Sequence, residues 1–188
     1  MNKSTKIKRL CLSGMLIALS VVLSAYIKIP IGESIRLDLG YAVVMIGSMF
    51  FGGVYGGVIA FISRILNDLL VKGNVNLIHV WWAIGSAFFG SVIGLVYTRF
   101  LLKLRNRRIK ICILFLATIC VSFIAFVGIV PPVAALITGT LYSLQLGFGV
   151  TAFVVDAIVA LCIGYPLYEI LIRIPNIHNF GVIKRKKE

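Results

Sequence analysis

The amino-acid sequence predicts an all-α membrane protein, a bundle of six transmembrane helices with both termini on the cytoplasmic side. Three observations carry that expectation. Of 188 residues, 60% are hydrophobic and only 13% are charged, whereas a soluble domain is about half apolar and about a quarter charged. A soluble chain of this length has too little interior to hide so many apolar side chains, so a mean hydropathy of +1.05 points to lipid as the solvent. Apolar runs able to cross a hydrocarbon core of about 30 Å recur along the chain, and the basic residues cluster between them on one side only.

The spans are expected at about 10–28, 38–52, 54–72, 77–102, 110–137 and 147–173, each judged against a crossing of roughly 20 residues. The first follows a basic start and so resembles a signal peptide. Its apolar run of about 18 residues is longer than a usual signal core, and a retained helix is expected. The second is short and is reached through a polar stretch. The fifth contains Pro131-Pro132.

Charge orients the bundle. With the N-terminus inside, the inner segments hold Lys3, Lys6, Lys8 and Arg9, then Arg99, Lys103, Arg105, Arg107, Arg108 and Lys110, then Arg173 and Lys184 to Lys187. The outer segments hold only Lys28, Arg36 and Lys72, and Arg64 falls within a span. This asymmetry is the positive-inside pattern of an N-in, C-in protein. It also accounts for the net charge of +13 without a nucleic-acid partner, because the basic residues mark loops rather than one continuous face. One integral-membrane domain over 1–188 is expected, with a basic cytoplasmic loop at 98–110 and a basic tail at 176–188 lying near anionic lipid.

Small residues mark helix contacts, since they let backbones approach closely in lipid. Gly14 and Ala18 form such a pair, with Ser13 beside them and Ser20 and Ser24 further on. Gly52, Gly53, Gly56 and Gly57 crowd the junction of the second and third spans, where Gly52-Gly53 reads as a tight inner turn. Gly85, Ser86, Gly90 and Gly94 run down the fourth. Cys11, Cys112, Cys120 and Cys162 lie in apolar stretches without metal-ligand spacing and are expected as small packing residues. His79 and His178 fall on opposite sides of this topology, so no shared metal site is expected.

Nearly every other polar group falls near the outer half. Arg36 and Asp38 sit in the first outer loop with Glu33. Arg64, Asn67 and Asp68 occupy the outer turns of the third span. Asn74, Asn76, His79, Trp81 and Trp82 follow in the next loop and the start of the fourth span. Tyr142 and Gln145 lie in the fifth-to-sixth connection, and Asp156 lies two to three turns into the sixth span. Ionisable groups at membrane depth are costly and face a cavity, a partner or a pathway. A small-molecule pocket needs an apolar, aromatic lining with a few placed polar groups, and these residues could supply both. Plainer readings stand beside that one. Arg64 and Asp68, four apart, can simply pair, and Asp156 needs a cation for which Arg64 is the only candidate at its depth. The tryptophans can be interfacial belt residues, and His79 a hydrogen-bonded structural group.

Catalytic patterns are absent. There is no P-loop, no HExxH and no GxSxG, so neither ATP hydrolysis nor an enzyme is expected of this chain, and no cofactor. A secondary carrier or channel is the alternative. It would need polar groups through the full depth, and the inner halves read as almost purely apolar.

The order of features resembles the substrate-binding S components of energy-coupling factor (ECF) transporters. The residues that carry the resemblance are LCLSGMLIALSVVLS at 10–24, IRLDLGYAVVMIGSMFFGGVYGGVIAF at 35–61, LNDLL at 66–70, WWAIGSAFFGSVIGL at 81–95 and VTAFVVDAIVALCIGYPLYEIL at 150–171. The resemblance implies a non-catalytic subunit of the bacterial cell membrane that binds a vitamin or related micronutrient from outside. It implies as partners a transmembrane coupling subunit, packed on Ser13, Gly14 and Ala18, and two cytoplasmic ATPases. Two departures stand out. The Gly-Pro common in the family after the second helix is Gly52-Gly53 here, and the Lys-Leu-Asp-Phe of riboflavin-binding members is Arg36-Leu37-Asp38-Leu39. Riboflavin, thiamine precursors, folate, pantothenate, biotin, pyridoxine, cobalamin and queuosine precursors all stay open as ligands.

Overall fold

The computed structural model describes residues 3–26, 28–30, 36–104 and 106–173. Glu33, Arg105, His178 and the basic tail at 176–188 lie outside the described residues. The chain is helical: α1 (Lys3–Tyr26), α2 (Gly40–Phe51), α3 (Gly53–Lys72), α4 (Leu77–Arg99), α5 (Arg107–Phe123), α6 (Val130–Thr138), α7 (Tyr142–Val159) and α8 (Tyr165–Leu171). One small antiparallel hairpin, β1 (Lys28–Pro30) with β2 (Arg36–Asp38), joins α1 to α2 and pairs Ile29 with Leu37.

Among the described residues, five helical segments are long and apolar enough to cross a membrane: Ile7–Tyr26, Gly53–Val71, Leu77–Lys103, Arg107–Thr138 and Tyr142–Leu171. The second expected span is the 12-residue α2, about 18 Å at 1.5 Å per residue. Every residue of α2 is buried. It is the central helix, packed on α1, α3, α4 and the α7–α8 segment, so its apolar sequence serves the protein core rather than lipid.

Gly52 ends α2 with φ 86° and ψ −177°, a backbone conformation open to glycine and costly for other residues. The tight turn expected at Gly52-Gly53 is therefore present. It folds α3 back, and α3 then runs against α4 at backbone distance. A β-carbon built on Gly90 would lie 2.5 Å from Gly56 O, and one on Gly94 2.6 Å from Gly52 C. Gly14 differs, because among the described residues nothing beyond its own helix backbone lies within 4 Å of a β-carbon there. Gly14 and Ala18 are both exposed on the outer face of α1, while Ser13 turns inward and its hydroxyl donates to Arg9 O. The four cysteines are also exposed. They sit on the surface of the bundle rather than in the helix contacts where packing residues were expected.

The last two spans are each interrupted by a π-turn, Ile124–Ile129 before Pro131-Pro132 and Ala160–Gly164 before Pro166. Proline has no N–H to give the carbonyl four residues back, and its ring crowds that carbonyl. A local widening absorbs the mismatch without ending the helix.

The end of the bundle opposite the hairpin is not purely apolar, contrary to expectation. Glu169 accepts from Tyr165 Oη at 2.9 Å and pairs with Arg107 at 3.2 Å, and Lys110 Nζ lies 4.9 Å from the centre of the Tyr97 ring. These groups are scattered over three helices and converge only through packing.

Candidate functional site

The polar groups converge where the hairpin meets α1, α2, α3 and α4. Asp38 ends β2 and is held from two sides. Its Oδ1 accepts the Gly40 backbone N–H at 2.9 Å and the Ser24 hydroxyl. A carboxylate beside the first turn of α2 also complements the positive end of that helix. Ser20, one turn before Ser24, donates to Gly40 O at 3.2 Å. A β-carbon at residue 40 would overlap the Ser24 hydroxyl and so displace it from Asp38.

Arg64 reaches this corner from α3. Its Nη1 lies 3.9 Å from Asp38 Oδ2 and its Nε 3.6 Å from Asp68 Oδ2. At these distances the contacts are ion pairs rather than hydrogen bonds. The i,i+4 pair expected from sequence is present, and Asp38 adds a second carboxylate that only the tertiary fold brings in. The Arg64 side chain keeps 26% of its exposure and Asp68 only 3%. Asp156, buried on α7, has Asp38, Arg64 and the Tyr41 hydroxyl as its electrostatic neighbours. Tyr41 Oη in turn lies 2.5 Å from Ser86 Oγ, which also reaches Trp82 O at 3.1 Å.

Together Ser20, Ser24, Asp38, Tyr41, Ser63, Arg64, Asn67 and Ser86 line a narrow cleft of about 10 Å³, room for about one water molecule. Three of its lining atoms, Ser63 Oγ, Arg64 Nε and Asn67 Oδ1, are buried without a hydrogen-bond partner. Unpaired polar groups of this kind are costly inside a protein, and a bound solute can supply what they lack. An aromatic wall stands beside the cleft. Tyr41 packs 5.9 Å from both Phe89 and Phe126, and Phe126 stacks on Trp82 at 6.2 Å and 20°. Phe126 belongs to the proline-associated π-turn.

Of the residues singled out from sequence, the structure brings together Asp38, Arg64, Asn67, Asp68 and Asp156. Arg36 is placed by its backbone in β2, two residues from Asp38. The others lie apart. Asn74 is exposed. Asn76 and His79 form a reciprocal cap at the start of α4, in which His79 Nδ1 accepts the Asn76 backbone N–H at 3.1 Å. Trp81 gives its indole N–H to Val130 O at 3.2 Å, and Trp82 takes part in the aromatic wall. Tyr142 is exposed, and buried Gln145 donates to Thr138 and Thr140. Sequence reasoning did not weigh Tyr41 or Ser63, and it read Ser20, Ser24 and Ser86 chiefly as packing residues. A tyrosine and evenly spaced serines inside apolar runs were the available signal.

Comparison with known proteins places this fold among integral membrane subunits of vitamin transporters. The chain belongs to the family of ECF-type riboflavin transporter S components, whose pattern it matches over residues 4–173. It is thus a multi-pass protein of the cytoplasmic membrane. Among relatives, a UPF0397 protein of Exiguobacterium is 31% identical over 141 residues, 73% of this chain and 74% of the relative. A UPF0397 protein of Streptococcus thermophilus is 26% identical over 162 residues, 83% of this chain and 87% of the relative. Two solved structures share the fold. FolT bound with folic acid aligns with a TM-score of 0.58 at 19% identity, over 86% of this chain and 95% of its own. The S component for biotin from an ECF-type ABC transporter aligns at 0.61 and 18% identity, over 90% and 94%.

Proposed function

We propose that this chain is the non-catalytic, membrane-embedded subunit that captures a vitamin or related water-soluble micronutrient for an ECF-type ABC importer. The observation that carries the reading is the cleft at the hairpin end, where buried ion pairs and unpartnered polar groups are gathered inside an otherwise apolar bundle. Asp38, Arg64, Asn67, Tyr41 and Ser63 hold the solute, with Asp68 and Asp156 setting the field around Arg64. The chain crosses the membrane six times, with α2 as the short, protein-enclosed crossing. Its basic segments face the cytoplasm, so the cleft opens outward. Riboflavin is the first solute to test, given the family. At about 10 Å³ the cleft is far smaller than the roughly 300–1,000 Å³ usual for ligand pockets, so a solute of vitamin size enters only if its walls part.

A coupling subunit and two ATPases complete the transporter, and the exposed Gly14–Ala18 face of α1 is where the coupling subunit docks. That face borders an apolar groove of about 620 Å³, formed with Met15, Val22, Phe50 and Leu171. Gly14→Leu is expected to leave solute binding within about twofold, since the side chain meets nothing in its own bundle and leucine is a better helix former by roughly 1 kcal/mol. Uptake in proteoliposomes containing the coupling subunit and ATPases is expected to fall at least tenfold, through loss of close helix approach. Unchanged uptake would remove α1 from the interface.

The same proteoliposomes test the function. The complete transporter should accumulate solute with ATP, and the chain alone should bind it without transport. The secondary-carrier reading draws on the Tyr97, Lys110, Glu169 and Arg107 network at the basic end, and ATP-independent uptake by the chain alone would favour it.

A further inference from the structure

A second concavity lies on the flank of α1, apart from the polar cleft. It measures about 620 Å³ and is lined by ten residues, every one of them apolar. Its size falls within the range of about 300–1,000 Å³ usual for ligand pockets, yet it has no polar side chain to orient a water-soluble solute. One wall is a stripe on α1, Leu12, Met15, Leu19 and Val22, whose spacing keeps the four on one helix face. Met15, Leu19 and Val22 stand 68%, 48% and 51% exposed. The buried Phe50 of α2 and Leu171 of α8 complete the lining. From Leu12 to Val22 the helix rises about 15 Å, half of a hydrocarbon core of about 30 Å, so the groove has the length of one leaflet. Lys8 continues the stripe one turn before Leu12, and Arg173 follows Leu171 by two residues, both exposed. The one nearby carboxylate on α8, Glu169, sits about 200° around the helix from Leu171 and is committed to Arg107 and Tyr165.

We propose that this groove seats an acyl chain of an anionic phospholipid of the cytoplasmic leaflet, with Lys8 and Arg173 at its headgroup. The inference rests on the reading that the basic segments face the cytoplasm and that the Gly14–Ala18 face receives the coupling subunit. An acyl chain carries no backbone N–H or C=O to satisfy, so it fills an all-apolar channel at no polar cost. An unfilled gap forfeits the dispersion contacts of its lining. The two cations add attraction for a negative headgroup. A second copy of the chain fits less well, because a two-fold contact through α1 sets the same patch against itself and brings two basic rims together. Ala18 itself lines the groove, so the lipid and the coupling subunit compete for one face, and docking of the subunit expels the lipid chain.

The test is native mass spectrometry of the full chain, delipidated in mild detergent and titrated with palmitoyl-oleoyl phosphatidylglycerol or with phosphatidylcholine of the same chains. One phosphatidylglycerol per protein is expected, bound about 25-fold tighter than phosphatidylcholine, at about fivefold for each cation. Lys8→Ala combined with Arg173→Ala should bring the two lipids within about twofold of each other. Ala18→Phe, which fills the groove from an exposed position, should weaken binding of both lipids at least tenfold. Ala18→Ser leaves the groove open and should bind as the parent does. Equal affinity for the two lipids in the parent, or lipid binding that survives Ala18→Phe, would overturn the proposal. So would a lipid-free dimer, which would put a second copy in the groove. Adding the coupling subunit should release the lipid. A lipid retained in that complex would leave the lipid site standing and remove α1 from the coupling interface, so the two readings fail separately, and solute capture at the hairpin end stands in either case.

Discussion

Arg64→Ala is expected to abolish solute binding and to lower stability by about 3 kcal/mol, at the lower end of the cost of breaking a buried ion pair. The guanidinium lies 3.9 Å from Asp38 and 3.6 Å from Asp68, with Asp156 also in its field. Removing it leaves Asp38 and Asp68 without the guanidinium they share. Solvent softens the effect, because Arg64 and Asp38 keep 26% and 22% of their exposure. On that scale the melting temperature in detergent falls by about 6–12 °C. Adding Asp68→Ala removes the more deeply buried of these two carboxylates. The double variant should recover at least half of the lost stability, and that non-additivity measures the pair directly. Binding should not return, because the solute still lacks Arg64. A double variant no more stable than Arg64→Ala would show that the pair contributes little to the fold.

The contact between α3 and α4 supplies the second large effect. At Gly90 a β-carbon would lie 2.5 Å from Gly56 O and 2.9 Å from Gly56 C. Both are backbone atoms, so no side-chain rotation relieves the overlap and the helices must separate. Overpacking of this kind costs about 1–3 kcal/mol for a small insertion. Gly90→Ala should show that loss, and Gly90→Leu should yield no folded protein. Since α3 carries Arg64, Asn67 and Asp68 while α4 carries Ser86, Gly90→Ala should also weaken solute binding about tenfold, near 1.4 kcal/mol. Gly14→Leu is the internal control, because it adds more volume where, among the described residues, nothing beyond its own helix backbone lies within 4 Å. Fluorescence-detected size-exclusion chromatography after heating separates the three. If Gly90→Leu remained monodisperse, the α3–α4 contact would be looser than the structure places it.

The apolar runs, the turn at Gly52 and the Arg64–Asp68 pair are legible in the sequence, because each depends on residues that are neighbours along the chain. Hydropathy reports how much apolar surface a segment carries, yet not whether lipid or protein covers it. This is why the sequence does not reveal that the 12-residue α2 is enclosed by protein on every side. The same blindness affects the small residues. Gly14 and Gly90 have the same spacing chemistry, but one faces outward and the other lies against a neighbouring backbone. The site is visible in its charges and hidden in its hydroxyls. Asp38 meets Arg64 only because the hairpin folds β2 over the bundle, and Tyr41 meets Ser86 across 45 positions of chain. His79 and Gln145 look available for a solute by residue type, but each makes short-range bonds near its own helix end.

The measurement that tests the central claim most directly is mass spectrometry of the small molecules released from the purified protein. The full chain is extracted in mild detergent, washed and denatured, alongside Arg64→Ala prepared in the same way. The account predicts a water-soluble micronutrient released from the unmodified protein in near-stoichiometric amount and absent from the variant. The same compound released in equal amount from both proteins would contradict it, because the cleft around Arg64 would then not be where the solute is held.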